Sequence, residues 1–460
     1  MAARSAHPSA PSTQRTRAAR AILAGLADEN RSLWMADKPP YQRSPALTGD
    51  VRCDVAIVGG GFTGVSTAYH LSRRFPDRRV VLLEGRQLGH GASGRNGGLM
   101  LNWVNGVSGD DLEQAKAIWD TTYQGIDDIE RLIVEHDLDV SWDRRGVLDI
   151  ITDPRRVESA AREVARLRGA GVNLRFLDGE NARRYIALEG MEAAILDAGA
   201  GHLDGVSLLR AMKPLLETAG VAVHEDTPVV RIREGRVVEL ETPGGTVRAD
   251  ALVLGTNAYT PALGYFRGGI VPVQSHLVAT ERRTEEDWHQ RGWAPEPSGF
   301  SDDRARLSYG VRSKQGAVVF GGGSNAAYQY LYGGRTALGA PTDAAARAVE
   351  AQLGLYLPST RSLRIEHRWS GAVALTLSRV CTMGVRGEHA NVYYALGYSG
   401  HGITLANLAG RVLTDLYAGE PERWRGLPFL DQRLLPVPPE PLRWIGYQAF
   451  TRLTGRSPRA

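Results

Sequence analysis

Residues 54–64 read Asp54-Val55-Ala56-Ile57-Val58-Gly59-Gly60-Gly61-Phe62-Thr63-Gly64. An apolar run of strand type feeds a Gly59-x-Gly61-x-x-Gly64 turn, and a helical pattern follows from Val65 to Arg74. Val80-Val81-Leu82-Leu83 then reads as a second buried strand, closed by Glu84 twenty positions after Gly64. Gly59 permits the tight turn, Gly61 lets backbone N–H groups approach a pyrophosphate, and Gly64 lets helix and strand pack closely. Phe62 and Thr63 lie between the last two glycines, where the helix N-terminus offers partial positive charge to phosphates. Glu84 can accept hydrogen bonds from ribose hydroxyls, with Gly85 and Arg86 continuing the turn behind it. Its negative charge argues against a 2′-phosphate, and so against NADP. Strand, turn, helix, strand and acid occur in register and predict a dinucleotide site in an α/β domain. A glycine-rich turn in some other α/β domain is the alternative.

That fingerprint does not separate FAD from NAD, and the residues downstream of it do. After Glu84 comes Leu88-Gly89-His90-Gly91-Ala92-Ser93-Gly94-Arg95-Asn96-Gly97-Gly98, small and polar residues of little packing value. Far along the chain, Asn391 to Leu396 reads as a strand running into Gly397-Tyr398-Ser399-Gly400-His401-Gly402, and a helix is predicted from Ile403 to about Leu416. A second glycine loop before a helix is a second place where N–H groups face an electron-rich group. A flavin needs such a remote loop, because its isoalloxazine lies a full cofactor length from the adenine.

These motifs, VGGGFTG (58–64), GASGRNGG (91–98), GTNAY (255–259), WSG…TLSR (369–379) and GYSGHG (397–402), resemble those of the D-amino-acid oxidase superfamily of FAD-dependent oxidoreductases. The likeness is greatest to the branch containing gamma-glutamylputrescine oxidase, with sarcosine and glycine oxidases more distant. It covers about residues 30 to 445, with the motifs in the family's order. The resemblance implies an α/β fold, α+β overall: a Rossmann-like FAD-binding domain with a central parallel sheet, plus an inserted antiparallel-sheet substrate domain. It implies FAD held by Gly59, Gly61, Phe62, Thr63, Gly64, Glu84, Gly85, Arg86, Ala92, Ser93, Arg95, Asn96, Gly97 and Gly98. Further along it adds Val229 (in a strand-like Thr227-Pro228-Val229), Thr256, Asn257, Trp369, Gly397, Ser399, Gly400, His401, Gly402 and Ile403. The implied reaction is oxidation of a C–N bond in a small amine or amino acid. Hydride passes to flavin N5, an imine forms and hydrolyses, and O2 or another acceptor takes the electrons. A dehydrogenase passing electrons to a quinone or carrier protein, and a flavin-binding protein without turnover, are the other readings.

The predicted FAD domain is discontinuous, over 51–108, 203–262 and 366–425. Segments 109–202 and 263–365 form the substrate domain, because strands such as Val271 to Thr280 alternate polar and apolar residues as one-sided antiparallel sheets do. Residues 1–30 read as a disordered arm and 426–460 as a C-terminal extension. Length agrees, since 460 residues exceed the usual single-domain range.

Charge excludes a nucleic-acid partner. The net charge is +4, and Arg4, Arg15, Arg17 and Arg20, with no acid among the first twenty residues, account for all of it, leaving a neutral body. No apolar run reaches the ~18 residues of a membrane span. Cys53 and Cys381 exclude a disulfide scaffold, and neither has metal-type spacing, so no metal and a reducing cytoplasm are expected. The arm lacks the apolar core of a secretory signal. Oligomeric state is open.

Four residues are the candidate chemistry. His401, between two glycines, is placed by the resemblance near the flavin pyrimidine ring, where positive charge or an N–H donor stabilises the reduced form. Tyr309-Gly310-Val311-Arg312 opens a hairpin of the substrate domain, with Tyr309 at its head. Arg312 is the candidate to grip a substrate carboxylate, because a guanidinium binds one bidentately. His276 stands on the long Val271–Thr280 strand. Sarcosine oxidases carry a lysine that promotes reaction with oxygen, and an ungapped match puts Phe320 in its place. Cys381 is expected on a buried strand, and Trp369 near the ring edge.

Overall fold

A computed structural model describes residues 30–454 except 305, 335 and 337–341. The predicted arm lies outside the described residues save for Asn30. Asn30 is fully buried, donates to Ser370 O and accepts from Ser370 N–H at 2.8 Å, so the folded body already includes it.

The first sheet grows from β1 (Val51–Val58), α1 (Phe62–Arg74) and β2 (Val80–Leu83). Strands β1 and β2 run parallel, with Val58 opposite Leu83. Gly64 makes the close packing possible: a Cβ there would lie 1.9 Å from Gly59 O. After the first insertion the chain returns as α2 (Gly205–Thr218), capped by Asp204, and β3 (Ala222–His224), which extends the sheet beside β2. Residues 227–229 are not a strand. Beyond His224 the chain turns, and Thr227 donates its N–H to Glu84 O, while Pro228 has no N–H to continue a ladder. β4 (Thr246–Leu254) then pairs in parallel with β1 on its other side.

The second sheet holds β5 (Val271–Thr280), β6 (Ser308–Arg312), β7 (Val318–Gly322) and β8 (Ile365–Leu375). Strand β8 pairs with β5 from Val271↔Leu375 onward. It therefore belongs to this sheet, not to the FAD segment 366–425 in which sequence placed it. Strands from the first insertion complete the sheet, and its one parallel pair, Gly299–Asp302 with Val147–Ile151, joins the two insertions. The rest of the ladder is antiparallel, as alternation predicts.

The chain then closes the first sheet with β9 (Val392–Leu396), parallel to the end of β4, and α3 (Gly402–Tyr417). α3 packs on α1 with little separation, since a Cβ at Gly410 would lie 2.1 Å from Ser66 Oγ. The C-terminal ends of β1, β2, β4 and β9 thus open on one edge, where α/β sheets bind ligands. A last helix, α4 (Leu442–Thr454), lies against the second sheet's side. Among the described residues no helix is long and apolar enough to cross a membrane, and no cluster of side chains could hold a metal ion.

Candidate active site

A cavity of about 520 Å³ runs between the two sheets. One end is floored by Glu84, Gly85, Pro228 and Val229; the middle is walled by Gly59, Gly61, Phe62, Thr63 and the Ala92–Gly98 loop. The far end meets Ser399 to Ile403, Leu99, Leu101, Ser275, Leu277 and Tyr309. Gly97, Gly98, Thr256, Asn257 and Gly371 also line it.

Two helix N-termini converge on this space. Neither α1 nor α3 is capped by its own N-cap side chain, because Gly61 has none and His401 points elsewhere. Ser93 Oγ accepts from Phe62 N–H at 3.0 Å, and the Thr63 and Tyr398 hydroxyls share a hydrogen bond of 2.6 Å that ties the two helix starts together. Asn257 Oδ1 accepts from Gly397 N–H at 3.0 Å, joining the GTNAY and GYSGHG loops. Gly397, Ser399 and Gly400 all take positive φ, at 78°, 49° and 92°. Ser399 holds that strained turn through its hydroxyl, which receives Thr376 N–H and donates to Gly397 O.

Glu84 accepts from Gly60 N–H at 2.7 Å and Arg86 N–H at 2.9 Å. Desolvation pushes its pKa up to about 7 against those two bonds, with Glu225 and Asp226 adding to the rise. The carboxylate forms part of the cavity floor. A desolvated carboxylate facing a cavity is what a pair of ribose hydroxyls would satisfy.

His401 Nδ1 lies 2.7 Å from Asn105 Nδ2, which also donates to Ser399 O at 3.0 Å. An amide oxygen in that place would face the Ser399 carbonyl, so the Asn105 amide supplies both hydrogens and His401 Nδ1 accepts. The ring proton is thereby fixed on Nε2. Burial lowers the His401 pKa to about 4. Of the two expectations for His401, the N–H donor fits and the positive charge does not.

The structure does not bring every predicted residue to the cavity. Arg312 is buried and spends its guanidinium on the carbonyls of Trp293 and Pro295. Tyr309 lines the cavity, and side chains alternate along β6, so Arg312 faces away. It is not positioned as a carboxylate grip. His276 fails for the same reason, since Ser275 and Leu277 line the cavity and His276 is buried between them on the other face. Trp369 packs outside the cavity and donates Nε1–H to Arg95 O at 3.0 Å, bracing the flavin-type loop from behind. Arg86 contributes backbone, not lining. Phe320 sits in the second sheet's core against Phe300. Cys381 is a buried free thiol off the cavity, pushed up to about 12 by desolvation, so it is not placed to attach a flavin.

Tyr309 is held where sequence expected chemistry. Its ring is sandwiched by Gly97 and Gly321, and its hydroxyl lies 3.2 Å from Ser275 Oγ. Arg95 also lines the cavity, anchored through Nε–H to His90 O at 2.8 Å. Sequence reasoning missed Asn105, Tyr259 and Tyr398. Tyr398 stood inside a quoted motif, whereas Asn105 is 296 positions from its partner and carries no local signal.

A family model described as FAD dependent oxidoreductase matches residues 54–416. Gamma-glutamylputrescine oxidoreductase of Escherichia coli (strain K12) is 29% identical over 90% of this chain and 96% of its own. Sarcosine oxidase subunit beta of Rhizobium meliloti is 24% identical over 70% of this chain and 74% of its own. Among solved structures, glycine oxidase from Geobacillus kaustophilus superposes with a TM-score of 0.71 at 21% identity, covering 84% of this chain and all of the other.

Proposed function

The chain belongs to the family of FAD-dependent oxidoreductases and is of the amine or amino-acid oxidase type, and from that premise we propose how its own residues serve the oxidation of a C–N bond in a small amine. Glu84 would hold the adenosine ribose, and the N-termini of α1 and α3 would face the pyrophosphate and the ring's carbonyl edge. When bound, FAD supplies the two-electron acceptor, taking a hydride at N5 from the carbon that bears nitrogen. The chain orients that carbon, excludes water and offers His401 Nε2–H where negative charge grows, a donor worth most in a dry site. The imine product leaves for hydrolysis in water. No side chain need act as a strong base if the amine enters unprotonated. The observation that carries this reading is the continuous cavity from the Glu84 carboxylate to His401 and Tyr309.

With Arg312 turned away, the substrate end walled by Leu99, Leu101, Leu277 and Tyr309 favours an amine carried on an apolar or neutral chain. The acceptor is open to a second reading. The chain has four lysines, at 38, 116, 213 and 314, none of which lines the cavity, and His401 is neutral. Both facts favour a quinone or carrier protein over O2. Two buried free cysteines fit a reducing compartment, the cytoplasm. Anaerobic mixing with a panel of amines tests the first reading: bleaching of the flavin band is expected, and its absence with every amine would leave a binding protein. Re-oxidation by air with stoichiometric peroxide would then favour an oxidase, and slow re-oxidation rescued by a soluble quinone a dehydrogenase.

A further inference from the structure

The substrate end of the cavity is walled by leucines and by the hydroxyls of Ser275, Ser301 and Tyr309, none of which carries charge. Charge comes one step further along the same sheet. Tyr309 on β6 stands opposite Ser301, and Ser301 stands opposite Asp149 on the strand Val147–Ile151. Directly paired residues point to one face, so Tyr309, Ser301 and Asp149 form a row on the cavity side. Phe300 and Asp302, which flank Ser301, are buried on the other side. Ser301 lines the cavity, and its Oγ–H donates to Asp149 Oδ1 at 3.3 Å. Asp149 itself is exposed. Beyond it the row meets Ile195 and Phe176, which pack against the cluster of Trp119 and close it. The row thus leads from the substrate end to a carboxylate at the cavity's rim.

Neighbouring strands lie about 4.8 Å apart, so two steps place Asp149 roughly 10 Å from Tyr309 along the sheet. A short aliphatic chain lying on the leucines covers that span. A carboxylate offers about four acceptor sites, so it can take an ammonium while keeping the partners it already has. We propose, on the amine-oxidation reading of this cavity, that Asp149 binds a second, cationic nitrogen at the far end of the substrate, and that the preferred substrate carries two nitrogens on one aliphatic chain. The two ends then differ in protonation. The nitrogen at the flavin end enters uncharged, as the apolar wall requires, and the far nitrogen keeps its proton beside a carboxylate and solvent. A monoamine of equal length gains nothing from Asp149, and an amine ending in a carboxylate is repelled by it.

The experiment is anaerobic reduction of the flavin in the full-length holoprotein by 1,5-diaminopentane, 1-aminopentane and 5-aminopentanoate, each taken to saturation in a stopped-flow instrument. Half-saturation at the lowest concentration is expected for the diamine, with a preference over the monoamine that shrinks as salt is added. Asp149→Asn should cut that preference about fivefold, the value of one exposed ion pair. Asp149→Glu should keep it, and Asp149→Lys should move it to 5-aminopentanoate. FAD content and melting temperature show that each variant is folded. Equal half-saturation for monoamine and diamine in the parent overturns the role of Asp149, and so does a preference that Asp149→Asn leaves intact. Either result leaves amine oxidation standing. A flavin that none of the amines reduces overturns amine oxidation itself, and the role of Asp149 falls with it.

Discussion

At the scale of single residues, Glu84 and His401 are tuned by burial in opposite senses, and each yields a measurable pH behaviour. Glu84 has a folded pKa of about 7 against 4.5 for the free group. The proton is held more tightly in the folded apoprotein, so this group's stabilising contribution is fully present below pH 4.5 and is lost as pH rises through 7. FAD acts with the other sign. Ribose hydroxyls donate to the ionised carboxylate, so FAD affinity for apoprotein should rise as pH climbs from 5.5 and level off above about 7. Glu84→Gln should flatten that profile, and Glu84→Ala should lose about 1.5–3 kcal/mol, roughly ten- to hundredfold in Kd. A fluorescence titration of apoprotein with FAD at several pH values reads all three, and an unchanged profile in Glu84→Gln would remove Glu84 from the ribose. For His401, a pKa lowered to about 4 means the neutral ring across the working range. His401→Ala should slow flavin reduction about 10²–10³-fold, the usual loss for one preorganised donor, with FAD content kept. Its rate against pH should still bend only where the amine titrates. Asn105→Ala frees the tautomer and should cost less than His401→Ala while leaving substrate affinity nearly constant in stopped-flow reduction.

At the scale of elements, the segment ahead of β1 is a clamp on the site rather than a lead-in alone. Ser32 Oγ donates to Gly94 O, Trp34 Nε1–H donates to Asn96 O at 2.8 Å, and Trp34 is 2% exposed. Further on, the buried Glu225 accepts from Ser44 N–H and Leu88 N–H at 2.7 Å each, and from the Tyr41 hydroxyl at 3.1 Å. Residues 30–47 are thus bonded to both loops that enclose the cavity's middle and its Glu84 end. Trp34→Ala should cost about 3–5 kcal/mol, the range for a large core aromatic, and should release FAD on gel filtration at temperatures where the parent retains it. A variant that melts like the parent would show the clamp to be dispensable. Elements of this kind were legible where the signal is local. Val80–Leu83 and Val271–Thr280 run between the residues that alternation and apolar runs indicated. What could not be read was which face of a strand meets the cavity. Arg312 and His276 sit on strands found correctly, yet each points away, because facing depends on which side the other sheet covers and the period of two is silent on that. The turn at Thr227-Pro228-Val229 was hidden for a related reason: Thr and Val are β-forming types, but the edge they would join ends at His224.

At the scale of the whole molecule, the cavity is the seam between two sheets that also share packed side chains, and a bound cofactor would complete that seam. Glu84, the α1 turn and the α3 turn come from the first sheet, while Ser275, Leu277 and Tyr309 come from the second. Ligand that binds only the folded state should therefore stabilise both sheets together, by ~2.7 kcal/mol at a FAD concentration a hundred times Kd. One cooperative melting transition that moves upward with added FAD is the expected calorimetric result, and two transitions of which only one moves would separate the sheets. The fold order was readable because each glycine motif marks a chain reversal at the same sheet edge. The share of the molecule outside that edge was not. Composition drew the arm to residue 30, but Asn30 is buried against β8, so the folded body includes it. The arginine-rich first twenty residues lie beyond the described ones, and their Arg4, Arg15, Arg17 and Arg20 match the whole net charge of +4. Deleting residues 1–20 should leave flavin content and amine turnover unaltered, because that stretch is acid-free, Pro- and Ser-containing and has little apolar surface to bury. The same deletion brings the net charge to zero, where colloidal repulsion vanishes. Solubility near neutral pH should therefore fall while activity per flavin holds. Loss of activity at full FAD occupancy would contradict this and place an arginine of the arm at the site or at a subunit contact.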